Sequence, residues 1–278
     1  NLSIILIKAR GRQCVPLLFF CKDNINYLII SKKVRCFFII FVIMNWKDRT
    51  ELLLGKERND AICSATVLVA GVGGVGGYAV EMLARAGVGN LIIIDDDVVK
   101  ESNINRQIIA TAKNVGTSKV ELMKERILDI NPEANVLAIK SFIDEDNVGE
   151  FIRRFKPNFV IDAIDSISPK IALIKYCIES NVKIISSMGA GGRIDPTKIQ
   201  YADISKTTNC ALARTVRERL KKQGITKGLP TVFSTEPVKK ESIIKVSDER
   251  NKCSTLGTIS YFPALFGCYL AAYVIENL

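Results

Sequence analysis

Residues 71–76 read GVGGVG, and nineteen residues after Gly76 a run of four apolar residues ends in Asp95. Gly71, Gly73, Gly74 and Gly76 would let a bare backbone approach a pyrophosphate. An acid at that distance can accept hydrogen bonds from ribose hydroxyls. Asn103, Arg106 and Lys119 follow Asp95. Two of the three are cations. They suit a triphosphate attacked at its α-phosphorus, where charge builds on phosphoryl oxygens and must be offset. Further on, DAIDS (162–166) carries Asp162 and Asp165. A carboxylate at a strand end can hold Mg²⁺ against phosphates, and either acid could serve. The set points to ATP and Mg²⁺ rather than to NAD, since a dinucleotide dehydrogenase asks little of the segment after its acid.

The elements that must position these groups are readable. TVLVA (66–70) is a short β-branched run that suits a buried strand, and Val75–Ala86 has helical periodicity. The free N–H groups and dipole of that helix would face the anion. Further strand-like runs fall at 91–94, 136–139, 159–162 and 183–187, with helical stretches near 118–130, 145–154 and 168–180. Such alternation predicts an α/β fold with a doubly wound, mostly parallel, Rossmann-like sheet. Tyr261–Ile275 is almost wholly apolar, with Pro263 suited to a helix's first turn. A helix buried in the core or at a subunit interface is expected there, with peripheral membrane contact as the alternative.

Each polar residue also has a plainer reading. Asn103 and Arg106 could form a helix cap and a surface ion pair. Lys119 could be solvated on a helix whose apolar side is Val120, Met123 and Ile127. Asp162 and Asp165 could cap the helix that follows them.

The eight cysteines are Cys14, Cys21, Cys36, Cys63, Cys177, Cys210, Cys253 and Cys268; none forms a CxxC pair, and the chain has no histidine. A structural zinc site and an imidazole base are therefore not expected. Scattered thiols suit a reducing cytosol, and a cytoplasmic location is expected. Cys210 lies beside a basic segment but shows no activation beyond neighbouring cations.

Together these pieces resemble the E1-like adenylating enzymes, the fold of the sulfur-carrier and ubiquitin activators. That family combines G-x-G-G-x-G, an acid, S/T-N-x-x-R-Q, a downstream Lys and D-x-x-D. Here they stand as GVGGVG, Asp95, SNINRQ, Lys119 and DAIDS. Within the superfamily the chain is most similar to the tRNA threonylcarbamoyladenosine dehydratases, through RTELLLGKE (49–57), RAGVGN (85–90), INPEA (130–134), SSMGAGGRIDPTKI (186–199) and the closing apolar segment. The resemblance runs from about Asn45 to the end. It implies carboxylate adenylation by ATP and cyclisation of N6-threonylcarbamoyladenosine in tRNA. It also implies a homodimer in which Arg49 reaches the partner's ATP, with Arg58 as a weaker rival and a helix-start surface charge as the plainer reading. Accessory proteins of the sulfur-transfer type are among the partners it allows. The alternative function is activation of a sulfur-carrier or ubiquitin-like C-terminus, against which the missing zinc cysteines count. The motif also implies Asp165, its second acid, as the Mg²⁺ ligand; Ser166 departs from the Asn often found after that acid.

Two segments stand apart in charge. Residues 1–43 hold seven Lys/Arg and one acid, +6 of the net +10, and Met44 is the first methionine. They are expected to be an extension outside the folded enzyme, or sequence upstream of the true start. Cys36–Met44 is apolar but about half the length of a bilayer span. Residues 44–278 are expected to form one adenylation domain. Within it, 206–228 carry seven Lys/Arg against Glu218 alone, well placed to meet a nucleic-acid backbone. A solvated helix face is the plainer reading of that segment too.

Overall fold

A computed structural model describes residues 45–245 and 254–278. The expected extension at 1–43 lies outside the described residues, as does Cys253.

Two short helices, α1 (Asp48–Leu54) and α2 (Lys56–Ser64), lead into β1 (Thr66–Ala70). There follow α3 (Gly76–Ala86), β2 (Asn90–Ile94), α4 (Lys119–Ile130), β3 (Asn135–Ile139), α5 (Val148–Phe155), β4 (Phe159–Asp162), α6 (Ile167–Glu179) and β5 (Ile184–Ser187). The chain continues through β6 (Ile199–Asp203), α7 (Ala211–Lys221), β7 (Pro230–Ser234), β8 (Ile243–Lys245), β9 (Ser254–Leu256) and α8 (Tyr261–Asn277). Seven strands form one sheet in the order β3-β2-β1-β4-β5-β7-β6, parallel except for β6 against β7. The order reverses between β1 and β4. Ligands of open α/β sheets bind at such a switch point, outside the carboxyl ends of the strands.

Side chains alternate along the strands and bury both faces of the sheet. Val67 and Val69 of β1, with Leu91 and Ile93 of β2, join a core completed by α3, α4 and α8. Leu68, Ala70, Ile92 and Ile94 join a second core with α5, α6 and α7. Strands covered on both faces read as near-continuous apolar runs, and the five expected strands and the four helices between them are all present.

Three differences have local causes. The edge strand β6 reads IQYAD, with Gln200 and Tyr201 exposed, so it has no apolar run; β7 opens on Pro230. Helix α2 is polar, and α1, though it carries Leu52, Leu53 and Leu54, buries no residue. Helix α5 starts at Val148 rather than near 145 because Asp144 and Asn147 cap each other, the backbone N–H of each donating to the other's side chain at 3.1 and 3.0 Å.

The C-terminal α8 is a core helix. Phe262, Pro263, Phe266, Gly267, Leu270, Ala271 and Val274 are buried. Gly267 lies so close to α3 that a Cβ there would sit 2.4 Å from the Val75 carbonyl oxygen. Helix α8 thus braces the start of α3 from behind. Among the described residues no helix is long and apolar enough to cross a membrane.

Candidate active site

The glycine loop joins β1 to α3 at the switch point. Two of its glycines are required by the fold itself. Gly71 has φ +88°, and a Cβ there would lie 2.8 Å from the Ala163 carbonyl oxygen; one at Gly76 would lie 1.8 Å from that of Gly71. At Gly73 the nearest atom to such a Cβ is the Gln107 Nε2, at 3.7 Å. That side of Gly73 is open to whatever the loop binds. Helix α3 carries no acid in its first turn, so its positive end at the loop is uncompensated.

Asp95 follows β2, and its carboxylate is tied to the glycine loop. Its Oδ2 accepts from Val72 N–H at 2.7 Å, and its Oδ1 from Asp97 N–H at 2.9 Å. Each oxygen keeps a lone pair for a ligand. Burial pushes the Asp95 carboxyl above its ordinary range, opposed by the Lys119 charge and by these two N–H groups.

Lys119 is the first residue of α4, and its side chain is 5% exposed. Its Nζ lies 2.6 Å from Asp97 Oδ2 and 4.0 Å from Asp95 Oδ1. The amphipathic helix is there, with Val120, Met123 and Ile127 buried, but Lys119 is not on its solvated face. The structure therefore groups Lys119 with the acid and the glycine loop. Asp97, half-exposed, escaped the sequence reading; its only signal was its place in DDDVV.

Asn103 is buried and fixes the turn that carries Arg106. Its Oδ1 accepts from Lys100 N–H at 3.0 Å, and its carbonyl accepts from the N–H groups of Arg106 and Gln107. The Arg106 Cγ packs on Gly74, 3.4 Å from where a Cβ would sit. Its Nη1 donates to the Ser102 carbonyl at 2.7 Å and to Asn105 Oδ1 at 2.8 Å. Gln107, also missed as a separate residue, is buried beside Gly73 with its Oε1 unpartnered.

The two acids of DAIDS separate cleanly. Asp162 ends β4 wholly buried, 2.6 Å from the Lys170 ammonium. Its carboxylate cannot turn to a metal at the sheet's edge. Asp165 is exposed, and Ser166 Oγ donates to its Oδ1 at 3.3 Å.

Arg49 stands exposed on α1, where Leu52 and Leu53 are 82% and 83% exposed. Among the described residues no hydrogen bond or ion pair joins it to the groups above. Arg58 donates from Nη2 to the Ile275 carbonyl at 3.3 Å. In the basic segment, Lys206, Arg214, Arg219, Lys221, Lys222 and Lys227 are exposed. Arg217 instead turns inward: its Nη1 donates to the Ile204 and Thr207 carbonyls, both at 3.1 Å, and to Thr207 Oγ1. Cys210 is the buried N-cap of α7, its Sγ accepting from Ala213 N–H at 3.5 Å. Cys177 is buried behind the sheet, its thiol pushed up to about 12 by burial and by the Asp162 charge.

The chain is similar to known proteins. The chain is 42% identical over 238 residues to the tRNA threonylcarbamoyladenosine dehydratase of Bacillus subtilis (strain 168), covering 83% of this chain and 93% of that one. To the protein of the same name from Escherichia coli (strain K12) it is 44% identical over 201 residues, covering 69% and 75%. The crystal structure of E. coli tRNA N6-threonylcarbamoyladenosine dehydratase in complex with ATP aligns with a TM-score of 0.76 at 38% identity, over 83% of this chain and 92% of that one. The family model described as ThiF family spans residues 48–278. The chain therefore belongs to the ThiF family, whose fold is the E1-like adenylation domain.

Proposed function

We propose that the protein adenylates the carboxylate of N6-threonylcarbamoyladenosine in tRNA with ATP, and that the activated group then cyclises with loss of AMP. The relatives' names and the ATP-bound relative support this reading. The observation in this chain that carries it is the buried Lys119 ammonium, held beside Asp95 at the glycine loop. A cation there serves a nucleotide whose phosphates gain charge as they react.

The threonyl carboxylate is a poor electrophile, because its oxygen is a poor leaving group. Attack by a carboxylate oxygen on the α-phosphorus of ATP forms an acyl-adenylate and releases pyrophosphate. The glycine loop and the start of α3 receive the phosphates, Asp95 accepts from the ribose, and Arg106 and Lys119 offset the developing charge. The urea of the modification then closes on the acyl carbon and expels AMP. That step is intramolecular, so proximity supplies much of its rate and no imidazole base is needed.

Asp165 is the residue that would hold Mg²⁺. It offers an oxygen ligand at the carboxyl end of β4, on the crevice side. Among the described residues no group of three or more His, Cys, Asp or Glu is placed to bind a metal. One carboxylate with nucleotide oxygens and water is the usual coordination of Mg²⁺, so the residues fit. Bound there, the metal supplies further charge neutralisation at the phosphates.

Pyrophosphate exchange into ATP tests the function. It is expected with tRNA carrying threonylcarbamoyladenosine and not with a carrier protein ending in Gly-Gly. The reverse result would make the protein a carrier activator.

A further inference from the structure

We propose that Asp162 is a positioning residue for this reaction: clamped by Lys170 and Ser186, it fixes the turn that carries Asp165 and backs the glycine loop. The inference rests on the reading of Asp165 given above.

All three side chains are shut off from solvent; Asp162, Lys170 and Ser186 are each 0% exposed. The Lys170 ammonium and the Ser186 hydroxyl both donate to Asp162 Oδ2 at 2.6 Å, and Lys170 Nζ lies 3.2 Å from Ser186 Oγ. Ser186 is the register partner of Asp162 across β4 and β5. Two donors on one oxygen hold the carboxylate plane still. Oδ1 is thereby aimed at Ile164 N–H, which donates to it at 3.1 Å.

The turn so held touches the site on both sides. Ala163 N–H donates to the Ala70 carbonyl at 2.9 Å, extending the β1–β4 ladder. Its carbonyl abuts Gly71 and its Cβ abuts Gly76, where a glycine Cβ would come within 2.8 and 3.1 Å of them. The next residues are Ile164 and Asp165. A loosened bond at Ile164 N–H therefore disturbs both the acid and the floor of the glycine loop.

A purely structural role does not require these charges. Apolar residues of similar volume usually replace a buried ion pair without loss of stability. What they lack is an acceptor aimed at Ile164. Two double variants separate these roles, and neither leaves a stranded charge. Asp162→Ala with Lys170→Met removes the acceptor. Asp162→Asn with Lys170→Met keeps an amide oxygen for Ile164.

Amide exchange at Ile164 is measured without nucleotide, and the KM for ATP is measured against Mg²⁺. In the alanine double variant, exchange is expected to quicken and the KM for ATP with Mg²⁺ to rise, each roughly tenfold, as for the removal of one hydrogen bond, with kcat changing less. The asparagine double variant is expected to stay near wild type. Equal impairment of the two, or wild-type exchange in both, overturns the proposal. Ser186→Ala keeps both charges and should show the same two effects at roughly threefold. Unchanged exchange in that variant overturns the clamp even if the alanine double variant does not fold. Asp165→Ala separates the clamp from the reading beneath it. If Asp165→Ala binds ATP with Mg²⁺ normally while Ile164 exchange quickens in the alanine variant, the clamp stands and Asp165 leaves the site. If Asp165→Ala binds poorly but the alanine variant binds normally, the clamp does not position Asp165.

Discussion

Lys119 and Asp95 bear opposite relations to the fold. Lys119 is a buried cation whose nearest partner, Asp97, is half-exposed. Its ammonium can pass from Asp97 to a phosphate without becoming uncompensated. Lys119→Met is expected to lower turnover by on the order of 10²-fold, read in pyrophosphate release, with the folded state retained. Asp165→Ala should have an effect of similar size, and an unchanged rate at saturating Mg²⁺ would remove it from the site. Asp95 is held in a place that disfavours its charge. Because burial raises its pKa, the fold favours its protonated form. That contribution is complete below the ordinary carboxyl value and is lost as pH rises through the raised one. Asp95→Asn is therefore expected to be at least as stable as wild type at neutral pH while binding ATP poorly. A melting temperature several degrees lower at pH 7 would show that the bonds from Val72 and Asp97 outweigh burial. The grouping of Asp95 and Lys119 beside the glycine loop was legible from spacing. Asp97 and the Lys170 end of the Asp162 pair were not, because a carboxylate on a loop and a lysine in a helix look alike whether they face water or each other.

At the scale of elements, legibility followed burial. Strands β1, β2, β4 and β5 are buried on both faces, and β3, half-buried at one edge of the sheet, still carries the apolar stretch VLAI. Strand β6 sits at the sheet's edge and α1 packs on little, so neither imposes a pattern. The basic segment shows the same limit in charge. Seven cations count equally in sequence, yet Arg217 spends Nη1 on backbone carbonyls of the turn before α7. The other six stay exposed, so the tRNA test belongs to Lys221 and Lys222. Reversing both is expected to weaken tRNA binding and reduce its salt slope by roughly one for each phosphate no longer neutralised, with ATP binding intact. An unchanged slope would make α7 a solvated face. Arg217→Glu should instead lower stability, since it removes the Nη1 bonds to the Ile204 and Thr207 carbonyls and sets a carboxylate against them. Asp203 closes the base of this segment, accepting from Ser205 N–H at 2.9 Å and Gly228 N–H at 2.6 Å. Burial works against its charged form, but these bonds win and hold its carboxyl below the ordinary value. Its contribution is thus present above the ordinary carboxyl pKa and is lost as pH falls through the lowered one. Asp203→Asn should lose that acid-side dependence in a melting-temperature series.

For the whole molecule, the open question is how many chains make one site. Helix α1 buries none of its residues and exposes Leu52 and Leu53 beside Arg49. Exposed leucines next to an arginine gain little for a monomer, and large exposed apolar groups in a cluster mark contact surfaces. We propose a symmetric homodimer in which Arg49 of each subunit completes the phosphate site of the other. The reading makes a prediction that no single-chain mechanism shares. Arg49→Ala and Asp165→Ala homodimers should each be nearly inactive. In a mixed dimer, one of the two sites carries both variant residues and the other carries both wild-type ones. Activity should return to about half of wild type per dimer, since one of two symmetric sites is intact. Tagged subunits purified through both tags give a verified mixed dimer for the assay. If it is as inactive as its parents, Arg49 acts within its own subunit or has no part in the chemistry. If the protein sediments as a monomer at assay concentrations while fully active, α1 owes its exposed leucines to something other than self-association.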